Sequence, residues 1–186
     1  MSEMKQKLDI LRYLPEIDEI SDEDLKKKVI KVWEILWAQS KFEEIERVPV
    51  TVNTNYPHIV HNRSVIRMAL KVADVLEEIH KVKVNRDILL ASAALQDASK
   101  LVEYEPDGER IRLSPLGESF QHGFYAAHIA LEVGLPSEVA KAIMSHTYEN
   151  SKFPTDLISK ILFYVDQIDM AALNLDRWKK TSFIFR

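Results

Sequence analysis

The sequence predicts an all-α protein with one short β-hairpin, and two observations carry that prediction. Only four glycines and seven prolines occur among 186 residues, so few positions interrupt a helix. Apolar residues also recur at helical spacing through most of the chain after Pro57. A chain of this length can bury a full hydrophobic core as one domain. We therefore expect a compact helical bundle.

Each predicted helix has its own start or stop signal. The pair Ser21 and Asp24 resembles a capping box, which predicts a helix over residues 22–39. Pro57 suits the first turn of a long helix that ends at His80. Further helices are expected over residues 86–98, 118–133, 136–147 and 155–172. Residues 102–114 alternate in polarity around Pro-Asp-Gly, which predicts the hairpin.

No repeat, low-complexity segment or linker divides the chain. We therefore predict a single domain over residues 1–186. Its core would span about 57–172, with an N-terminal helical extension over 1–56 and a C-terminal tail over 173–186.

Composition excludes several classes of function. There are no cysteines, so thiolate nucleophiles and cysteine-based metal sites are impossible. The net charge of -4, without a long basic run, argues against a nucleic-acid polymer as partner. No apolar stretch approaches the roughly 18 residues of a membrane span, and the N-terminus is unlike a secretory signal. We expect a cytoplasmic protein without a membrane partner.

Histidine and aspartate side chains interrupt the apolar stripes of five predicted helices. Burying such groups without compensation is costly, and no lysine or arginine lies on these stripes. One such residue is usually a hydrogen-bonded core histidine, but five together favour a bound cation, for which helical bundles are a known setting. The five residues are His61, Asp97, His122, His146 and Asp166.

In this order the residues resemble the HD superfamily of metal-dependent phosphohydrolases. That family's pattern is a histidine, a His-Asp pair, one or two further histidines and a distal aspartate. The resemblance covers about residues 57–170 and implies an HD-domain-like bundle of five or more helices around a metal centre. The matching motifs are His61-Asn62-Arg63-Ser64-Val65, Gln96-Asp97-Ala98-Ser99-Lys100, His122-Gly123, Ile143-Met144-Ser145-His146 and Tyr164-Val165-Asp166.

The resemblance implies a ligand set with one departure from the family. His61, Asp97 and Asp166 would hold one ion, and His122 and His146 a second, with Asp97 bridging. Gln96 stands where the family has the histidine of its His-Asp pair. Its amide oxygen is a weaker, harder donor than imidazole and favours Mg²⁺ or Mn²⁺ over zinc. We expect one or two divalent ions from among Fe, Mn, Mg, Ni, Co and Zn.

The resemblance implies a phosphohydrolase that acts on a small phosphate ester or nucleotide through a metal-activated water. Asp97 would orient the nucleophile, and Lys100 would contact the substrate phosphate. Two alternatives stay open: a di-iron oxygenase of the same superfamily, and a non-catalytic ligand-binding module. Iron content and oxygen-dependent turnover would distinguish the first alternative. The second is disfavoured because an inactive site has no physical reason to keep five costly buried groups.

Three neighbouring residues also have predicted positions. His58 is expected at the surface or beside the site rather than as a ligand, one turn before His61. Asp169, one turn after Asp166, is expected either to support a ligand or to face the substrate. His128 lies off the His122 stripe and is expected to be exposed.

Overall fold

The computed structural model describes residues 7–54, 56–120, 123–147 and 153–173. Within them the protein is mostly helical, as predicted, and its one sheet has two strands. The helices are α1 (Glu23–Gln39), α2 (His58–His80), α3 (Arg86–Leu95), α4 (Lys100–Glu103), α5 (Pro115–Ser119), α6 (Phe124–Glu132), α7 (Ser137–Met144) and α8 (Leu157–Leu173). The strands are β1 (Tyr104–Asp107) and β2 (Arg110–Leu113).

Helix α1 begins with a different cap from the one the sequence suggests. Asp22, and not Ser21, accepts hydrogen bonds at Oδ1 from the backbone N–H groups of Asp24 (2.9 Å) and Leu25 (3.1 Å). Ser21 instead donates through its N–H (3.0 Å) and hydroxyl (2.7 Å) to Asp87. The Asp22 N–H also donates to Asp87, at 2.9 Å. A carboxylate at the start of α3 thus fixes the start of α1.

Asp87→Ala is expected to lower the free energy of unfolding by about 1 kcal/mol, because it removes acceptors for three donors that water can partly replace. Burial raises the pKa of Asp87, but the hydrogen bonds from Ser21 and Asp22 outweigh it and leave the pKa below its ordinary value. The stabilisation is therefore present above about pH 3.9 and is lost as the pH falls through the lowered pKa. Urea unfolding at pH 7 and in acid measures both effects. Glu109→Ala, an exposed position in the hairpin turn, serves as the control and should change neither.

The N-terminal segment belongs to the same hydrophobic core as the later helices. Short 3-10 helices at Ile10–Arg12 and Pro15–Glu19 precede α1. Ile10 and Ile17 are fully buried there and pack in one cluster with apolar side chains of α1, α2 and α3. Arg63 on α2 also donates through Nε to the buried Glu16 carboxylate at 2.9 Å. In the described residues, this segment is therefore part of the core rather than an appendage to it.

The predicted hairpin is confirmed, and charge holds it to the helices. Strands β1 and β2 pair antiparallel, with Tyr104 opposite Leu113 and Asp107 opposite Arg110. The buried Glu105 carboxylate accepts from Lys41 Nζ and lies near Arg112 Nη2, each at 2.6 Å. The Lys41 ammonium, and to a smaller extent the Arg112 guanidinium, hold the pKa of Glu105 below its ordinary value, although desolvation acts in the opposite direction.

The helix predicted over residues 118–133 is wrong, because the chain breaks there into α5 and α6. Ser114 caps α5 by accepting from the Gly117 N–H at 3.1 Å, and α5 ends at Ser119. Gly123 then takes a φ of 79°, a left-handed conformation that ends helical continuity. A Cβ there would lie 3.0 Å from the Ile143 carbonyl oxygen, so glycine also permits a close approach to the end of α7.

The other predicted helices form, with shorter ends in two cases. Helix α3 stops at Leu95 rather than at residue 98, and α7 stops at Met144 rather than at residue 147. Each of these two helices ends one or two residues before a residue of the predicted site, Gln96 after α3 and His146 after α7. Of the helices in the described ranges, none combines the length and the apolar character needed to cross a membrane.

Candidate functional site

Four of the five predicted site residues come together in the interior. His61 lies on the first turn of α2, Asp97 in the turn after α3, His146 just after α7 and Asp166 on α8. His61 Nε2 is 3.1 Å from Asp166 Oδ1 and 3.3 Å from Asp97 Oδ2. His146 Nε2 is 3.4 Å from the other Asp97 oxygen, Oδ1. All four residues are buried. The fifth, His122, lies outside the described residues.

Asp169 holds the other side of the His61 ring. Its Oδ2 lies 2.6 Å from His61 Nδ1, and its Oδ1 accepts from the Ser64 hydroxyl one helical turn along α2. Of the two predicted roles, the geometry matches support of a histidine. A histidine whose Nδ1–H is held by a carboxylate presents a fixed Nε2, which is the usual arrangement of metal-binding histidines.

The His61 ring is surrounded by negative charge. Burial lowers its pKa, but the hydrogen bonds that the ring donates to Asp166, Asp169 and Asp97 more than compensate and raise the pKa well above its ordinary value. Both ring nitrogens face carboxylate oxygens, which only accept hydrogen bonds, so this arrangement favours the imidazolium form of the ring. The proton on Nε2 occupies the direction in which a cation would bind.

Lys100 adds a second buried cation that the apolar stripes do not reveal. Its Nζ lies 3.7 Å from Asp97 Oδ1 and 5.6 Å from the centre of the Tyr104 ring. Burial opposes its charge, but nearby anions, Asp97 foremost, raise its pKa. Asp97 therefore has a lysine beside it, although no lysine lies on the apolar stripes. The three carboxylates of Asp97, Asp166 and Asp169 still exceed the two cations, Lys100 and protonated His61.

His146 and Gln96 present further donors to this region. His146 Nδ1 lies 2.6 Å from the Ile143 carbonyl oxygen and donates to it, so Nε2 is the nitrogen that faces Asp97. Gln96 is fully buried, and neither atom of its side-chain amide has a hydrogen-bond partner in the described part of the chain. A buried amide without partners costs free energy, which a ligand or an ordered water would recover.

His58 is not at the surface, as one of its predicted positions had it. It is wholly buried, and its ring centre lies 6.0 Å from that of Trp33. Burial lowers the pKa of His58 to about 3, although the charge of Asp97 opposes the shift. His58 is therefore neutral and lines the apolar side of the cluster. His128 is half exposed, as predicted, and faces Glu132.

The chemical types of these side chains fit a divalent cation, but the distances between the side chains do not. Carboxylate, imidazole and amide groups suit Mg²⁺, Mn²⁺ or Fe²⁺, and excess negative charge favours any cation. However, no three or more of the described His, Asp and Glu side chains stand in an arrangement that could hold an ion. The site residues contact one another directly instead. Ion binding would therefore require His61 Nε2 to lose its proton and these contacts to open.

The fold and the cluster define a mostly α-helical protein with a buried histidine–aspartate centre. The sequence is similar to dihydroneopterin 2′,3′-cyclic phosphate phosphodiesterase of Methanocaldococcus jannaschii. The two are 33% identical over 172 residues, which cover 82% of this chain and 65% of that enzyme. The chain thus spans slightly less than two thirds of its relative's length. No family model matches the chain, and no solved structure matches it.

The sequence assigned Asp169 no single role and left His58 either at the surface or beside the site. Asp169 shares a helical face with Leu162 and Val165, and that face is buried, so its periodicity carried a usable signal. His58 shares its first turn of α2 with His61, and the spacing alone does not show that Trp33 of α1 packs beside His58. Only the packing of Trp33 against α2 reveals that burial.

Proposed function

We propose that this protein is a metal-dependent phosphohydrolase of the HD superfamily that cleaves a small phosphate ester. A cyclic phosphodiester is the first candidate substrate, because the similar archaeal enzyme is named for one. The main support is the arrangement of His61, which Asp169 holds at Nδ1 while Nε2 faces Asp97 and Asp166. A single hydrogen-bonded core histidine does not require three carboxylates around it.

His61, Asp97 and Asp166 would hold one ion, with Gln96 in or beside its shell, and His146 with the predicted His122 a second. A bound divalent ion supplies Lewis acidity, which lowers the pKa of water and offsets charge on phosphoryl oxygens. The candidate ions are Fe, Mn, Mg, Ni, Co and Zn, and elemental analysis of the protein distinguishes them.

The protein's own groups have separable roles in this proposal. Lys100, a cation held in the interior beside Asp97, would bind a non-bridging phosphate oxygen and so place the phosphorus atom. Asp97 would orient the attacking water and accept its proton. A bond forms between the water oxygen and phosphorus, and one of the two ring P–O bonds breaks. The released oxygen takes a proton, and the product is a phosphomonoester.

The direct test is hydrolysis of dihydroneopterin 2′,3′-cyclic phosphate by protein loaded separately with each candidate metal. Phosphorus NMR would show the ring phosphodiester signal replaced by that of a monoester, and elemental analysis would give ions per chain. Oxygen uptake without monoester formation would favour the di-iron oxygenase instead. Protein that takes up none of the metals and hydrolyses no phosphate ester would contradict the proposal and favour the binding module.

Asp169→Asn is expected to weaken metal binding about 10- to 100-fold, because it removes the carboxylate that fixes the His61 ring while keeping the side-chain volume. Calorimetric titration of the metal-free protein with a divalent metal ion measures the effect. Asp74→Asn, which changes an exposed carboxylate on α2, is the matched control and should bind as the wild type does. Equal affinity in the two variants would mean that Asp169 does not act through His61.

Gln96→His tests the departure from the family pattern. Imidazole is a stronger and softer donor than an amide, so this variant should bind zinc more tightly than the wild type does. The same titration measures it. Unchanged zinc affinity would place Gln96 outside the ligand shell.

A further inference from the structure

Two phenylalanine rings form a stacked pair on the surface between α5 and α6. The ring centres of Phe120 and Phe124 are 5.0 Å apart, and the planes are inclined by only 11°. The exposed fractions are 49% for Phe120 and 39% for Phe124. Each ring therefore uses one face for its neighbour and keeps much of its remaining surface open. Adjacent exposed aromatic rings of this kind are characteristic of binding surfaces.

Two glycines near this pair in the sequence lie close to the candidate site or to the helix that carries Lys100. On one side, a side chain at Gly117 would collide with the carbonyl oxygen of Glu103, so α5 lies directly against α4, the helix that begins with Lys100. On the other side, a Cβ at Gly123 would lie 3.4 Å from Cε1 of the His146 ring.

The pair thus lies on the stretch of chain that connects the Lys100 helix to His146. Phe120 follows Gly117 by three residues, and Phe124 directly follows Gly123. If the phosphate of a substrate binds beside Lys100 and Asp97, the rest of the substrate must contact residues adjacent to the cluster. Phe124 directly follows the glycine that approaches the His146 ring, so the pair adjoins the cluster along the chain.

We infer that Phe120 and Phe124 bind the planar heterocycle of the substrate by stacking, and so select an aromatic phosphate ester over an aliphatic one. This inference rests on the proposed function, because the phosphate end of the substrate is placed by the histidine–aspartate cluster. Aromatic side chains stack on any planar base without needing specific hydrogen bonds. A pterin is such a ring, and in a neopterin cyclic phosphate only a short carbon side chain joins it to the phosphate.

The binding test uses neopterin, which has the ring and side chain but no phosphate. Its fluorescence is titrated with wild-type protein and with the variants Phe120→Leu and Phe124→Leu, which keep apolar volume but lose the aromatic face. Each variant should bind about tenfold more weakly, as expected for loss of one stacking contact. Phe153→Leu is the matched control, since Phe153 is also exposed but meets the Phe163 ring at 5.3 Å, and it should bind as the wild type does. Phe120→Trp, which keeps an aromatic face at this position, should bind neopterin as tightly as the wild type does.

Kinetics provide the second readout. With dihydroneopterin 2′,3′-cyclic phosphate, Phe120→Leu should raise KM about tenfold and leave kcat within a few fold. With glycerol 1,2-cyclic phosphate, which has no aromatic heterocycle, neither constant should change. This pattern separates a role in ring binding from general damage to the site.

The two proposals fail in different ways. Neopterin that does not bind the wild type, or that binds both leucine variants as tightly, overturns the stacking role even if hydrolysis is observed. Neopterin binding that is lost in the leucine variants, in a protein that hydrolyses no cyclic phosphate, leaves the aromatic subsite in place and overturns the proposed reaction.

Discussion

Asp97→Asn is expected to reduce kcat for cyclic phosphate hydrolysis on the order of a thousandfold and to remove most of the bound metal. Asp97 contacts three residues of the cluster. One carboxylate oxygen faces His61, and the other faces both His146 and Lys100. Asparagine keeps the shape but has no charge to bind an ion or to accept a proton. Steady-state kinetics and elemental analysis of the same preparation measure both losses.

Asp107→Asn provides the matched control, because that aspartate lies exposed in the hairpin turn. It should keep full activity and metal content. Circular dichroism establishes that Asp97→Asn remains folded, so that lost activity is not mistaken for lost structure. A folded Asp97→Asn variant with wild-type metal content and turnover would contradict the proposed site.

Lys100→Met is expected to destabilise the metal-free protein by about 3–5 kcal/mol, the usual cost of removing one partner from a buried ion pair. Methionine fills similar volume, so the loss is one of charge rather than packing. The remaining Asp97 carboxylate would then lie beside Asp166 and Asp169 with only the His61 ring to offset them. Urea unfolding of protein treated with a chelator measures the change.

The double variant Lys100→Met with Asp97→Asn identifies the cause. If the cost arises from an uncompensated Asp97, the second substitution should restore most of the lost stability. A divalent ion should also restore stability to Lys100→Met, because it supplies the missing positive charge. Additive destabilisation in the double variant would show that the two groups do not interact.

Helical periodicity predicted most of the cluster because the site residues lie on the same faces as the core. His61 precedes Val65 by one turn, and Asp166 adjoins Val165, so burial followed directly from position. Periodicity did not predict the burial of Lys100, because this residue lies on α4, a helix of one turn that is too short to show a period. Only the packing of α4 against α1 and α5 shows that its ammonium group is buried.

The remaining errors arose where local signals compete. Ser21 and Asp22 are both good caps, and only the distant Asp87 determines which one serves α1. The run from residue 118 to 133 has helical composition apart from Gly123. One glycine is tolerated within a helix, and its left-handed conformation here follows from the approach of α7, which the sequence does not display.

The hydrogen bonds that organise this molecule join parts of the chain made at very different times. Arg63 reaches back 47 residues to Glu16, Asp87 reaches back 66 to Ser21, and Asp169 reaches back 108 to His61. Each closure needs a larger loop than the one before, so we expect the N-terminal half to assemble first during synthesis on the ribosome. The last closure is the one that aligns the His61 ring. Competence to bind a metal would therefore be acquired only when α8 docks, so a nascent chain that still lacks this helix cannot capture an ion there prematurely.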